Sequence, residues 1–312
     1  MFNYYTTPSE YLWVFFAVLS VILLVGFYLS YRVTLLKTRY DFVPPIVFQA
    51  IGTLLVLPLA YFSTEPLPFV TKNSAGNSTL NYIPLALFLL AGLFYALHDR
   101  TQATVRKNVD VAVSGVIDLS VHVFLILFGI LILDEYLTFQ TVLGIILILV
   151  ANFTIAYDFK SRKLNKYWPL GILANFTYAI GIIVDINLSG GKNLPFYVAL
   201  SYAMGAIYIS IFTVFDEKIN FKQLLQAIKY DVNRKTILSH ISTSFFSVFY
   251  TFVMLTTYRY GPVSIATAVI STTVIFNTIL SAAFLGERKM FLLKIISAIV
   301  GVIGLALVVV DV

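Results

Sequence analysis

Ten apolar stretches, each near the roughly 20 residues needed to cross the hydrocarbon core of a bilayer, take up almost the whole chain. They are predicted at about Tyr11–Tyr31, Pro45–Tyr61, Tyr82–Arg106, Val109–Leu133, Phe139–Tyr157, Trp168–Leu188, Leu194–Phe215, Ile237–Tyr258, Pro262–Leu285 and Met290–Val310. Lipid offers no water to backbone N–H and C=O groups, so stretches of this length must satisfy their own as α-helices. The expected fold is an all-α integral membrane protein with ten transmembrane helices. Composition agrees, with 59% hydrophobic and only 12% charged residues, against roughly a quarter charged in a soluble domain.

The fourth and ninth stretches end on related sequences. Asp134-Glu135-Tyr136-Leu137-Thr138-Phe139 is answered 152 positions later by Gly286-Glu287-Arg288-Lys289-Met290-Phe291, and each run leads into the last stretch of its half. The chain thus reads as a five-helix unit used twice, over 1–158 and 167–312, joined by a cytoplasmic linker at 159–166. An odd number of spans turns the second unit upside down relative to the first. Inverted repeats place a binding site at their shared midplane.

Charge supports the inversion. Loops after odd-numbered stretches carry 18 of the 21 Lys and Arg residues, leaving Lys72, Lys192 and Arg259 to the loops after even-numbered ones. The positive-inside rule then puts both termini outside. Equivalent loops of the two halves have opposite character: Ser63–Asn81 holds one basic residue and Asp216–Lys235 holds five. The latter also alternates Phe221, Leu224, Leu225, Ile228 and Val232 with lysines, which predicts a short interfacial helix. The first loop carries an Asn77-Ser78-Thr79 sequon, relevant only in a host that glycosylates.

Other function classes are disfavoured. The absence of cysteine removes disulfides, thiolate metal sites and thiol nucleophiles. A pI near 9.3 follows from cytoplasmic loop lysines and arginines, so nucleic acid is not an expected partner. The first ten residues hold no Lys or Arg, and the first stretch is too long for a signal-peptide core. No His-Glu-x-x-His, phosphate-cradling loop or serine nucleophile elbow occurs. Gly115-Val116-Ile117-Asp118 lacks the second glycine of an intramembrane aspartyl protease setting.

Polar residues inside the stretches carry the expected function, because each is costly in lipid unless it faces an interior or a wet cavity. At 100° per residue, Tyr95, His98, Asp99 and Gln102 share one face of the third stretch. Ser247, Tyr250 and Thr251 lie on the corresponding face of the eighth, within a stripe from His240 to Tyr258. In the fourth, Ser114, Asp118 and His122 recur every four residues; as a carboxylate and imidazole one turn apart at mid-membrane, Asp118 and His122 are expected to share a proton. Asn175 and Tyr178 mark the sixth stretch, sharing a face with Asp185, which is expected at the wet outer end, and Thr273 with Asn277 mark the ninth. Arg100 projects away from His98 and is expected to reach the cytoplasmic interface as an anchor. Interhelical hydrogen bonding is the alternative role for the Ser and Thr positions.

The run Thr257-Tyr258-Arg259-Tyr260-Gly261-Pro262-Val263-Ser264, then Phe284-Leu285-Gly286-Glu287-Arg288, then the Gly301/Gly304 helix resemble the drug/metabolite transporter superfamily, in particular its EamA-like members. The first half is similar more loosely, through Phe94-Tyr95-Ala96-Leu97, Leu133-Asp134-Glu135 and Leu143-Gly144. The resemblance implies ten helices in two repeats, transport rather than catalysis, and no cofactor. The chain departs from that pattern twice. The proline that commonly opens the inner segment of the fourth and ninth helices is absent, and members of the family usually keep their termini in the cytoplasm.

The expected function is secondary active transport of a small polar metabolite (an amino acid, amine or related zwitterion) by alternating access, with H⁺ as a candidate coupling ion. The partners are then the substrate and the lipid bilayer, and the plasma membrane is the expected location. A polyanion would require several cavity-facing Lys or Arg. A divalent-cation transporter or channel using Asp118 and His122 is the runner-up, followed by a non-transporting scaffold.

Overall fold

A computed structural model describes residues 12–72, 78–133, 138–158, 163–189, 192–260, 266 and 269–310. Glu135, Asn77, residues 159–162 of the 159–166 linker and the Gly261–Ser264 run lie outside these residues. The chain forms helices α1 (Leu12–Lys37), α2 (Val43–Ala60), α3 (Tyr82–Asn108), α4 (Val111–Asp118), α5 (Ser120–Leu133), α6 (Phe139–Ala156) and α7 (Trp168–Ser189). These are followed by α8 (Leu194–Asp216), α9 (Phe221–Asp231), α10 (Ile237–Tyr260), α11 (Thr273–Leu280) and α12 (Phe291–Val310). Two small antiparallel pairs sit in loops: β1 (Val70–Lys72) with β2 (Ser78–Leu80), and β3 (Tyr157–Asp158) with β4 (Lys163–Leu164).

Among the described residues, six helices are long and apolar enough to cross a membrane: α1, α2, α3, α7 over Trp168–Asp185, α8 and α10. Shorter apolar helical segments cover Val111–Leu125, Phe139–Ile155, Val269–Leu285 and Phe291–Leu307. Ile22, Leu54, Phe153 and Ile303 point outward and are exposed. In water such a belt would drive aggregation; against acyl chains it is the solvated surface. The interfacial helix appears as α9, begun by a reciprocal capping box between Asn220 and Gln223.

The fourth stretch departs from the expected single helix. Leu119 is a turn residue separating α4 from α5, with Leu119 N–H bonded to the Val116 carbonyl at 3.2 Å and His122 N–H to the Leu119 carbonyl at 3.2 Å. The same two bonds recur before α11: Thr272 N–H to the Val269 carbonyl at 3.1 Å, and Ile275 N–H to the Thr272 carbonyl at 2.9 Å. Both places therefore tighten from α to 3₁₀ spacing in the middle of an apolar segment. A π-helical turn, Ser281–Leu285, extends α11 and closes on Gly286 in the left-handed conformation, φ 71°, where a residue without Cβ avoids strain.

Helix pairs set the bundle. The principal partners are α1 with α10, α3 with α7, α2 with α8, and α6 with α12. Small residues allow the close approaches. A Cβ on Gly52 would stand 2.6 Å from the Tyr202 ring, and one on Gly205 would collide with the Gln49 amide. A Cβ on Gly26 would meet the Phe246 ring at 2.5 Å and one on Gly181 the Tyr95 ring at 2.9 Å.

One end of the bundle is tied by charge. Glu287 accepts from Arg32 Nε at 3.2 Å and from the Val111 N–H at 2.8 Å, at the start of α4. Lys294 pairs with Asp110 at 2.5 Å and donates to the Glu287 carbonyl at 3.1 Å. Burial, with the charge of Asp110 adding to it, holds the Glu287 carboxyl above the usual carboxylate range. At the opposite end, Arg259 meets Glu65 at 3.1 Å.

Candidate functional site

Between these ends lies a cavity of about 230 Å³, walled by α1, α2, α3, α4, α5, α7, α8, α10 and the segment 270–277. Leu24, Val198 and Ile270 are among its apolar walls, and its polar groups come from both halves of the chain.

The first-half wall centres on Asp118, the last residue of α4. Its carboxylate accepts from Tyr28 Oη at 2.5 Å, Gln102 Nε2 at 2.7 Å and Arg106 at 3.0 Å. Arg106 in turn lies over the Tyr28 ring at 4.4 Å, a favourable site for a guanidinium removed from water. Gln102 also donates to Asn175 Oδ1 at 3.0 Å, and Asn175 donates to the Ile117 carbonyl at 2.9 Å. One network thus fixes α1, α3, α4 and α7 around the end of the broken helix.

This geometry corrects the expectation for Asp118 and His122. No hydrogen bond or ion pair joins them among the described residues. His122 Nε2 instead faces Ser271 Oγ at 3.3 Å. The tightened turn at Leu119 lies between the two, and Asp118 is fully engaged by donors from α1 and α3. Both side chains line the cavity, as separate groups.

The remaining residues singled out in the sequence divide between cavity and packing. Tyr95, His98, Asp99, Asn175, Tyr178, Ser247, Tyr250, Thr251, Thr273 and Asn277 line the cavity. Gln102 is 1% exposed and stands behind the wall. Ser114 is likewise buried, and it is the neighbouring Gly115 that reaches the cavity. In α10 the stripe splits. Ser247 and Thr251 hydrogen-bond Tyr202 Oη at 2.8 and 3.0 Å beside the cavity. Thr243 bonds Thr34 at 2.9 Å and serves the α1–α10 contact instead. Arg100 pairs with Glu217 at 2.6 Å and Asp216 at 3.0 Å, outside the cavity.

Sequence reasoning passed over several wall residues. Arg106 was counted among the cytoplasmic loop charges, yet its side chain turns into the cavity, since α3 continues to Asn108. Asp185, expected at the wet end of its helix, is 8% exposed and held by the hydroxyls of Tyr95 and Tyr197. Gln49, in the middle of α2, donates its amide to Asp99; a glutamine inside an apolar span was the available signal for it. Tyr28 and Tyr202 were hidden among the many aromatics that membrane interfaces attract.

An all-helical bundle with an apolar exterior and a polar interior cavity defines a multi-pass integral membrane protein, with the plasma membrane its expected location. Residues 166–310 match the EamA-like transporter family. Members of that family are transporters and not enzymes. A solved structure titled "Crystal structure of protein" is similar with a TM-score of 0.56 over 96% of each chain, at 12% identity; the likeness is one of fold. No curated protein matches the chain in sequence.

Proposed function

We propose that the protein is a secondary transporter that carries a small polar metabolite, an amino acid, amine or related zwitterion, by alternating access between two inverted five-helix repeats. The repeats are residues 1–158 and 167–312, joined by 159–166. Taking α4 with α5 as one broken span, and Val269–Leu285 as another, gives ten spans with α9 lying outside them.

The observation that carries the reading is the matched pair of tightened turns. Val116-Leu119-His122 and Val269-Thr272-Ile275 hold the same two backbone bonds at corresponding places of the two halves, and each turn adjoins the cavity. Packing supports the same exchange. The α1–α10 contact of the first repeat with the second is answered by α7–α3, with Gly26 under Phe246 matched by Gly181 under Tyr95. The α2–α8 contact answers itself, with Gln49 on Gly205 and Tyr202 on Gly52. Such reciprocity is the mark of a two-fold relation. Short 3₁₀ turns in the middle of spans are hinge sites at which one repeat can rock against the other around a central cavity.

A divalent-cation path has less support: among the described residues no three His, Asp or Glu side chains converge on one point. The proposal is tested by counterflow in proteoliposomes loaded with unlabelled amino acids and amines, then given each in labelled form at equal pH. Saturable, protein-dependent exchange of at least one solute is expected. No exchange across the panel would favour a scaffold.

A further inference from the structure

The charges around the cavity do not balance, and the imbalance is local. Three carboxylates, Asp99, Asp118 and Asp185, line it together with one guanidinium, that of Arg106. Arg106 is committed to Asp118, so neither Asp99 nor Asp185 has an ion-pair partner among the described residues. Asp185 takes two tyrosine hydroxyls. Among the described residues Asp99 takes only the Gln49 amide, which leaves its carboxylate the least satisfied of the three. Tyr178 and Tyr202 line the same cavity as Asp99, and the face of an aromatic ring is attractive to a cation.

A second observation points to a missing ligand. Asn277 of α11 is 0% exposed and lines the same cavity, yet neither its Oδ1 nor its Nδ2 has a hydrogen-bond partner among the described residues. A buried carboxamide with both ends free is costly. A neutral group able to donate or accept would relieve it.

Resting on the transport reading of this cavity, we propose that its substrate is a small organic ammonium ion. The charged nitrogen binds the Asp99 carboxylate between Tyr178 and Tyr202, and a neutral polar group of the same molecule reaches Asn277. Asp99 is then the specificity-determining residue. A carboxylate of similar size would meet unpaired negative charge at both Asp99 and Asp185 and be rejected.

Three probes that share one skeleton separate charge from shape: phenethylamine, phenylacetamide and phenylacetate, each titrated calorimetrically into the full-length protein in detergent at neutral pH. The amine should bind at least about tenfold more tightly than either of the others, the scale of one charge-assisted hydrogen bond. Asp99→Asn should remove that preference and Asp99→Glu should retain part of it. The wild-type ranking decides without any variant. Equal or tighter binding of the amide or the acetate overturns the proposal, as does no binding of the amine. An unchanged amine affinity in a folded Asp99→Asn protein overturns it too. Counterflow of a solute of another charge class would leave transport standing while this inference falls; absence of all counterflow would remove the transport reading itself.

Discussion

Asp118 holds donors from Tyr28, Gln102 and Arg106, and removing its charge would leave the Arg106 guanidinium largely buried and unpaired. Breaking a buried pair from one side costs about 3 kcal/mol or more. Asp118→Asn is therefore expected to lower the melting temperature of the purified protein clearly, whereas His122→Gln, which loses one contact to Ser271, should change it little. Combined with Arg106→Gln, Asp118→Asn should cost less than the two separate losses together, while Asp118→Asn and His122→Gln should add. Additivity between Asp118 and Arg106 would contradict the network. At this scale the sequence marked most polar wall residues, because a polar side chain inside an apolar span has few other places to point. It missed their pairings. Helical spacing puts Asp118 and His122 on one face only if the helix is unbroken, and the donors that claim Asp118 come from other helices, α1 and α3.

Helix ends were legible where they depend on chemistry local to the sequence. Amphipathic spacing and lysines announced α9, and the change from apolar to polar runs located α3, α7, α8 and α10 closely. The turn at Leu119 was not legible, since no proline stands there and the flanking residues are ordinary helix formers. The tie at Glu287 was half legible: its place after a long apolar helix stood out, but its partners Arg32 and Val111 are remote in sequence. That tie joins α1, the start of α4 and the loop before α12, on the side expected to be cytoplasmic. Glu287→Ala would leave Arg32 with the Arg106 carbonyl and free the Val111 N–H, loosening that end by the scale of a charge-assisted hydrogen bond. A cysteine replacing Ser247 should then be labelled from the cytoplasmic side about tenfold faster. An unchanged labelling rate would mean that Glu287 does not hold this end closed.

For the whole molecule, the apolar stretches foretold a helical membrane protein. Because Gln49 meets Gly205 while Gly52 meets Tyr202, α2 and α8 run antiparallel, so the loop after α2 and the helix after α8 belong at opposite ends. Single cysteines at Thr64 and Gln226 should accordingly label from opposite faces of the membrane in this cysteine-free chain, Thr64 from outside. Labelling of both from the same face would contradict this arrangement; Thr64 from inside alone would reverse only the orientation. What the chain could not announce was which side chains pair across the cavity, since those contacts form only where faces from both halves meet.

The central claim is that one cavity opens in turn to either side. Its most direct measurement places a single cysteine at Ser247, on the cavity wall, and labels it with a membrane-impermeant maleimide in right-side-out and in inside-out vesicles. The account predicts labelling from both sides, each slowed by prior reaction from the other. Labelling from one side only, under every solute condition, would contradict it.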